Sequence, residues 1–296
     1  MPEPSEGSGG PVAPEPSPSR TFLPLAKGEL SPQDARELVE LKLVILKQLG
    51  FDCKAYKEPC LRRRLAVRMR ARGTHSYADY ARLLGDDPTE GARMLDAITI
   101  NVSKFYRNLE TWDAIRTTVV PVLFKLTAPK INIWSAGCAS GEEPYTMAMV
   151  LLQYAEEHRQ RSFLKRFDIL GTDVDKGILE LATRAEYGPF AFGEIDPVIR
   201  NRFFEENRLK PEIKNMVHFQ ELDLMAGPYP QGMHLIFCRN VIIYFERVVQ
   251  EQLFQEFHKS LEPNGFLVLG KVETIFGRGA GLFTSISSRE RIFCKS

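Results

Sequence analysis

The feature that most constrains the fold is a short apolar run that leads through small residues into a helical pattern. Residues 131–146 read INIWSAGCASGEEPYT. The apolar run covers 131–134, the small residues cover 135–141, and apolar side chains then recur at helical spacing as far as Leu152. This order predicts a strand, a tight glycine turn and a helix. Such a junction exposes bare backbone to a ligand at the carboxyl end of a parallel strand.

Two carboxylates at this junction indicate the charge of that ligand. Glu142 and Glu143 directly follow the turn that contains Gly137 and Gly141. A helix N-terminus attracts anions, so two carboxylates there would repel a phosphate and favour a cation. The turn is neither G-x-G-x-x-G nor a Walker motif, which weakens NAD and ATP as ligands. The alternative is a purely structural turn in which Glu143 favours the helix start.

Downstream of Lys130, apolar runs alternate with helical segments. This rhythm predicts an α/β fold with a doubly wound, mainly parallel sheet. Two final runs, separated by Ser287 and Ser288, predict a terminal antiparallel hairpin. The predicted strands lie at 131–134, 167–170, 217–219, 235–237, 266–269, 282–286 and 291–294.

The first part of the chain has a different pattern. Residues 1–24 are rich in Pro, Ser and Gly, which predicts a disordered tail. Residues 25–116 are predicted to form a small all-α domain with a linker, and residues 117–296 the α/β domain. Ser31 before Pro32 predicts a helix start and Gly50 its end. Further helices are expected at 59–72, from Tyr77 and at 91–98.

Composition excludes several classes of protein. The net charge of +1 gives no field that would steer the chain to nucleic acid or to a membrane surface. No stretch reaches the roughly 18 uninterrupted apolar residues of a membrane helix, so we expect no membrane insertion. The five cysteines are scattered and form no CxxC pair, so we expect no metal site, reduced thiols and a cytoplasmic location.

An acidic motif follows the second predicted strand. Asp173 lies closest to the strand end, where a carboxylate can accept hydrogen bonds from both ribose hydroxyls of a nucleoside. Asp175 suits the role of N-cap for a helix that begins at Lys176. With the glycine turn, this motif favours an adenosine-containing ligand.

Polar residues also follow the third and fourth strands. Asp223, with Leu224 beside it, lies where the edge of an adenine would sit, although a simple turn residue explains the aspartate equally well. Arg239 and Asn240 leave the fourth strand at its carboxyl end, which places them in the ligand crevice. Tyr244, considered alone, is better explained as a core aromatic.

Upstream of the sheet, residues 101–107 read NVSKFYR. Considered alone, this segment is best explained as an interdomain linker whose aromatic side chains fill the interface. A linker that also places Asn101, Ser103 and Arg107 over the crevice would act as a lid.

Together these segments resemble the CheR-type methyltransferases, which methylate glutamates of chemotaxis receptors with S-adenosylmethionine. The resemblance covers about residues 31–296, with matching order and spacing. It rests on the motifs LRRRL at 61–65, NVSKFYR at 101–107, SGEEPYT at 140–146, TDVD at 172–175, CRNVIIYF at 238–245 and LEPNGFLVLG at 261–270.

The resemblance implies a Rossmann-like methyltransferase domain after the all-α domain, with S-adenosylhomocysteine as the product of the cofactor. It implies that Arg107 and Tyr244 lie beside the transferred methyl group. Cofactor contacts are expected at Asn101, Ser103, Arg107, Gly137, Glu143, Asp173, Asp223, Leu224, Arg239 and Asn240.

The chemistry agrees with this resemblance. The cofactor carries a sulfonium and an ammonium group, which suit Glu143 and Asp173. A glutamate acceptor is already ionised at pH 7, so the transfer needs no general base. Charge disappears towards the transition state, so we assign Arg107 to orientation. Two alternatives stay open: a non-catalytic module that senses S-adenosylmethionine, and a methyltransferase for RNA or a small molecule.

The second helix is strongly basic. A solvated charged face explains this, and no nucleic-acid-binding motif accompanies it, so we expect no nucleic acid partner. The resemblance favours docking to the acidic methylation helices of a receptor, and we expect the chain to act as a monomer. The expected docking residues are Arg62, Arg63, Arg64 and Arg68.

Four departures from the family pattern concern the site and the partner. Ser103 replaces the usual Thr, and Asp223 stands where Asn is common. Residues 270–273 read GKVE in place of the usual GHSE. The region at about 188–218, which forms a β-subdomain in relatives, is short, which makes tethering by a receptor's C-terminal peptide doubtful.

Overall fold

The computed structural model describes residues 28–99 and 101–296, so the tail predicted for residues 1–24 lies outside the described residues. Within these described residues, four α-helices form the all-α part, and Ser31 and Gly50 cap the first of them as expected. The Ser31 hydroxyl accepts a hydrogen bond from the Asp34 amide, and Gly50 has a φ of 67°. The helices are α1 (Pro32–Leu49), α2 (Glu58–Ala71), α3 (Tyr77–Asp86) and α4 (Pro88–Thr99).

A seven-stranded sheet forms the second part of the chain. Its strand order is β5-β2-β1-β6-β7-β9-β8, with the first five strands parallel and the last two antiparallel to their neighbours. The predicted doubly wound sheet and its terminal hairpin are therefore confirmed. The strands are β1 (Ile131–Ala136), β2 (Phe167–Asp173), β5 (Val217–Glu221), β6 (Met233–Cys238), β7 (Leu261–Leu269), β8 (Phe283–Ser287) and β9 (Ile292–Lys295).

Helices cover both faces of this sheet, as a parallel sheet requires. Apolar clusters line each face, one around Ile133 and Phe237 and the other around Trp134 and Phe257. The helices are α5 (Leu109–Ala114), which continues through one π-helical turn (Ile115–Val119) into α6 (Val120–Lys125), then α7 (Glu142–Glu157), α8 (Lys176–Arg184), α9 (Pro197–Phe203), α10 (Pro211–Lys214) and α11 (Arg247–Ser260).

The sequence assigned the linker and α5 to the all-α domain of residues 25–116. In the structure they pack against the sheet domain instead. Phe105, Trp112 and Ile115 are buried in the apolar layer of the sheet domain. Tyr106 also lies in this layer, and its hydroxyl donates to Gln153 in α7 at 2.9 Å. The linker and α5 therefore belong structurally to the sheet, not to the helices before them.

The region at 188–218 carries a minimal hairpin. Its strands, β3 (Phe204–Glu205) and β4 (Arg208–Leu209), have two residues each. Short helices flank them, and the Phe204 and Leu209 side chains are buried. In the structure, the β strands of this region therefore form only this small hairpin.

A strap from the all-α domain joins the two parts. The strap (residues 55–57) runs antiparallel to residues 244–246, with Tyr56 bridged to Phe245. The Lys57 amide donates to the Tyr244 carbonyl at 2.8 Å, and the Glu246 amide donates to the Ala55 carbonyl at 2.9 Å. The helical domain is therefore fixed to the segment that follows β6. Within the described ranges, no helix has both the length and the apolar character needed to cross a membrane.

Candidate active site

A cavity lies where the carboxyl ends of β1, β2 and β6 meet the all-α domain. Its volume is about 930 Å³, including its open mouth. Strand register explains why the predicted segments meet here, since Ala136 pairs with Thr172 and Ser135 with Phe237. The lining includes every predicted catalytic and cofactor residue: Asn101, Ser103, Arg107, Gly137, Glu143, Asp173, Asp223, Leu224, Arg239, Asn240 and Tyr244.

The glycine turn is shaped by close packing. Gly137 has a φ of 74°, and a Cβ added there would lie 2.5 Å from the Val241 side chain. The amides of Gly137 and Cys138 both donate to the Thr172 carbonyl, at 2.8 and 2.9 Å. Glycine is required because the backbone after β1 passes directly against the segment after β6.

Glu143 forms a buried ion pair on the cavity wall. Its Oε2 lies 3.2 Å from Arg239 Nη1, and its Oε1 accepts from the Ser135 hydroxyl at 2.8 Å. Arg239 also donates to the Arg107 carbonyl at 2.8 Å and to Asn108 Oδ1 at 3.1 Å. Burial raises the pKa of Glu143 even though Arg239 opposes that rise.

Glu142, the neighbour of Glu143, takes no part in this ion pair and is not among the residues that line the cavity. It is buried, and the Ser140 hydroxyl lies 2.8 Å from both of its carboxylate oxygens. Burial raises its pKa, while its own backbone amide and the hydroxyls of Ser140 and Ser103 counteract the rise. Ser103 therefore connects residues 101–107 to the start of α7.

Asp173 and Asp175 hold the two positions that the sequence suggested for them. Asp173 is buried and accepts from the amides of Ala139 at 3.0 Å and Asp175 at 3.1 Å, and burial raises its pKa. Asp175 caps α8 by accepting from the Ile178 amide at 3.2 Å. Asn101 donates to Asp175 at 2.9 Å. This hydrogen bond connects residues 101–107 to the start of α8.

The residues after β5 and β6 provide further polar groups. Asp223 accepts from the Met225 amide at 2.8 Å, so it is a turn residue and also lines the cavity, as Leu224 does. Asn240 has a φ of 63°, and its Oδ1 is buried with no hydrogen-bond partner. A buried acceptor of this kind calls for a donor from a ligand.

Arg107 and Tyr244 line the same cavity. Arg107 is half-buried, and its Nη1 donates to the Val102 carbonyl at 3.3 Å. Tyr244 is half-buried and joins the strap through its backbone carbonyl. Burial raises the pKa of its phenol, while the nearby guanidinium groups of Arg64, Arg107 and Arg63 counteract the rise.

Sequence reasoning missed Tyr56, which the strap carries into the cavity wall. Its ring packs on Phe245 at 5.0 Å and on Phe51 at 5.1 Å. Burial raises its pKa, and the carboxylates of Asp223 and Asp173 raise it further. No local motif marks this tyrosine, because its position depends on how the two domains pack.

Two of the four expected docking arginines are wrong for that role. Arg62 is buried and donates to the Gly28 carbonyl at 3.0 Å. Arg68 forms two hydrogen bonds to the buried Glu90, at 2.9 and 2.7 Å. Both guanidinium groups therefore form hydrogen bonds within the all-α domain. Arg63 is exposed and Arg64 half-buried on the side of Tyr244.

A doubly wound sheet whose cavity offers carboxylates in place of a phosphate cradle defines a domain that binds a cationic nucleoside cofactor. Two family descriptions match the chain: "CheR methyltransferase, all-alpha domain" over residues 36–99, and "CheR methyltransferase, SAM binding domain" over residues 101–292. The chain therefore belongs to the CheR methyltransferase family, and its cofactor is S-adenosylmethionine. Glu143, Asp173 and the unpartnered Asn240 oxygen fit that cofactor's positive charge and hydrogen-bond donors.

Curated relatives resemble most of the chain. A chemotaxis protein methyltransferase of Listeria monocytogenes is 34% identical and covers 78% of this chain and 87% of its own. One of Borreliella burgdorferi is 29% identical and covers 81% and 89%. A solved methyltransferase of Rickettsia typhi, with 18% identity and a TM-score of 0.31, covers 57% of this chain and 26% of its own, which is too little to add to the assignment.

Proposed function

We propose that this chain transfers the methyl group of S-adenosylmethionine to glutamate side chains on the cytoplasmic helices of chemoreceptors. The products are glutamate methyl esters, which serve sensory adaptation. The family and the names of the relatives support methylation in chemotaxis. The charges around the cavity support a carboxylate as the acceptor.

The observation that carries this proposal is a charge difference within the cavity lining, between the surroundings of Tyr56 (here the acidic end) and those of Tyr244 (here the basic end). Around Tyr56 the neighbouring charges are the carboxylates of Asp223 and Asp173. Around Tyr244 they are mainly guanidinium groups, from Arg64, Arg107 and Arg63. An acidic end suits a cationic cofactor, and a basic end suits an anionic acceptor.

The residues at the basic end have little proton chemistry to perform. A glutamate acceptor is ionised at neutral pH, so no general base is needed. S-adenosylmethionine supplies an electrophilic methyl group on a sulfonium. Arg107 orients the acceptor carboxylate, and Tyr244, whose pKa is raised by burial, stays protonated beside it. The gain in rate comes from alignment and from exclusion of water.

Docking of the receptor involves α2. Arg63 and Arg64 lie on this helix beside Tyr244, so an acidic receptor helix bound there would bring its glutamate to the cavity mouth. The β3–β4 hairpin has two-residue strands and offers little edge for an added peptide strand. We therefore favour docking through α2 over tethering by a receptor tail.

The test is methyl transfer from labelled S-adenosylmethionine into cytoplasmic fragments of candidate receptors. We expect labelled methyl groups on glutamates. Mild alkali should release this label, because it hydrolyses esters. Base-stable label would contradict the ester, and binding of the cofactor without transfer to any receptor would favour a sensing module instead.

The same assay on Arg107→Ala tests whether Arg107 orients the acceptor. The Arg107 side chain makes one weak hydrogen bond, to the Val102 carbonyl, so its loss should leave the fold intact. We expect transfer to fall by about 100-fold or more, because the acceptor loses its alignment. Near-normal turnover of this variant would refute the role of Arg107.

A further inference from the structure

Glu273 is a buried carboxylate in the turn after β7, and the chemistry above does not use it. It is 3% exposed. Its Oε2 accepts from the amides of Gly270 at 2.6 Å and Asn240 at 2.9 Å. Its Oε1 accepts from the amides of Val241 at 3.0 Å and Ile243 at 3.4 Å. One side chain therefore holds four backbone donors from two loops.

The loop that Glu273 holds (residues 240–244, here the β6 loop) has an unusual backbone. Asn240 has a φ of 63°, a left-handed conformation that costs energy for residues other than glycine, although less for asparagine than for most. The amides of this loop follow the end of β6 at Cys238, outside the strand pairing of the sheet, so strand pairing does not satisfy them. The Glu273 carboxylate accepts hydrogen bonds from three N–H groups of the loop. These bonds offset both the cost of unpaired amides and the cost of the left-handed conformation.

The same loop carries three residues of the cavity lining, Asn240, Val241 and Tyr244. Asn240 presents its buried, unpartnered Oδ1, and Tyr244 lines the basic end. On the opposite side, the strap holds the loop through Lys57, whose amide donates to the Tyr244 carbonyl and whose Nζ donates to the Ile243 carbonyl, both at 2.8 Å. The strap thus fixes carbonyls of the loop, and Glu273 fixes its amides.

We propose that Glu273 is a positioning residue for methyl transfer. Its carboxylate sets the backbone of the β6 loop, and through that backbone it places the Asn240 carboxamide against the cofactor and the Tyr244 ring beside the acceptor. The inference rests on the proposed function, because the roles of Asn240 and Tyr244 are part of it. Glu273 itself does not line the cavity.

Gly270 offers a second way to disturb the same contact. A Cβ added there would lie 2.7 Å from Glu273 Oε2 and 2.9 Å from the Asn240 amide. Both distances are shorter than a carbon atom tolerates, so Gly270→Ala should push the carboxylate away from the loop. The close approach of the two loops therefore depends on glycine at this position.

The first experiment measures binding of S-adenosylhomocysteine and turnover for Glu273→Gln. The glutamine amide turns one acceptor oxygen into a donor that faces backbone N–H groups. We expect the dissociation constant to rise about tenfold and kcat to fall about 100-fold, with the circular dichroism spectrum unchanged. In a double-mutant cycle on binding, Asn240→Ala should add little to Glu273→Gln, because Glu273 acts through Asn240.

Two matched controls separate positioning from general damage. Glu290→Gln also removes a buried carboxylate from the sheet domain, where Glu290 accepts from Thr111 at 2.7 Å and from Lys271 outside the cavity. Gly281→Ala adds a methyl group that meets nothing within 4 Å. We expect both controls to bind and turn over like the wild type, whereas Gly270→Ala should weaken binding and turnover in the same direction as Glu273→Gln.

Wild-type binding and turnover in Glu273→Gln and Gly270→Ala would overturn the proposal, as would full additivity with Asn240→Ala. If Glu273→Gln does not fold, Gly270→Ala decides the question, and unfolding of both would assign Glu273 to stability instead.

Product binding needs no acceptor. The wild type could therefore methylate no receptor while the losses of binding in the double-mutant cycle are still non-additive. That result would refute receptor glutamates as the acceptor and leave the positioning role of Glu273 intact.

Discussion

Glu90 in the all-α domain and Glu143 in the cavity are both enclosed by protein, and their surroundings differ. Glu90 is fully buried and accepts two hydrogen bonds from Arg68 and one from Tyr80, at 2.7–2.9 Å, with Arg72 at 3.7 Å. Burial would raise its pKa, but the bonds from Arg68 and Tyr80 lower it overall.

Glu143 has fewer partners. It accepts from one hydroxyl and shares the Arg239 guanidinium with two other acceptors, the Arg107 carbonyl and Asn108. Its pKa is raised, as is that of Asp173. The hydrogen bonds to Glu90 thus outweigh the effect of burial on its pKa, while those to Glu143 and Asp173 do not. We propose that a cationic cofactor bound beside Glu143 and Asp173 favours their ionised forms.

The largest expected effect concerns the stability of the all-α domain. Glu90→Gln should destabilise it by about 3 kcal/mol, because Arg68 is left without its partner. Denaturant unfolding measures this loss. Glu40→Gln, at an exposed position of α1, is the control and should leave the unfolding free energy unchanged within about 0.5 kcal/mol. A Glu90→Gln chain as stable as this control would remove the contrast with Glu143.

A smaller effect is expected on binding at Asp173. Asp173→Asn replaces an acceptor oxygen with a donor that meets the Ala139 or Asp175 amide, and it removes a negative charge from the cavity. Calorimetry should give a dissociation constant for S-adenosylmethionine about 30-fold higher, or about 2 kcal/mol. Asp168→Asn, near the start of β2 and outside the cavity, should bind as the wild type does. Equal affinities for the two variants would exclude Asp173 from the site.

The pH dependence should separate the two regions as well. The pKa of Glu90 is lowered, so its stabilisation is present above its unfolded value near 4.5 and is lost as pH falls through the lower folded value. The pKa of Glu143 is raised, so its charge, and with it affinity for the cofactor, should weaken already above pH 4.5. Titrations of binding and of unfolding free energy against pH test this order. Affinity that persists until the fold is lost would contradict it.

The smallest effect is expected at the docking surface. Arg63 is exposed on α2, so Arg63→Ala should raise KM for a receptor fragment a few-fold, by up to about 1 kcal/mol. The effect should shrink at high ionic strength, with kcat unchanged. Arg82→Ala changes an arginine of the same domain whose side chain is 76% exposed, and it should leave KM unchanged. Equal effects of both variants would exclude a specific role for α2.

Much of this fold could be predicted from local signals. Ser31 and Gly50 cap α1 as their residue types favour, and each apolar run became a strand of the large sheet. The residues expected around the cofactor line one cavity, because parallel strands end at the same edge of a sheet.

The missed features depend on residues distant in sequence. Arg68 looks like a surface arginine until Glu90, on another helix, is placed beside it. Tyr56 reaches the cavity because the strap pairs with Phe245. Glu273 contacts a loop some thirty residues earlier in the chain, through bonds that no periodicity encodes.

The most direct test of the central claim is titration of S-adenosylmethionine into Glu143→Gln and Glu90→Gln beside the wild type. If the cavity carboxylate supplies the charge that the cofactor neutralises, Glu143→Gln should raise the dissociation constant at least tenfold, or about 1.4 kcal/mol, while Glu90→Gln below its unfolding transition should bind as the wild type does. Wild-type affinity in Glu143→Gln, or an equal loss in both variants, would contradict the account.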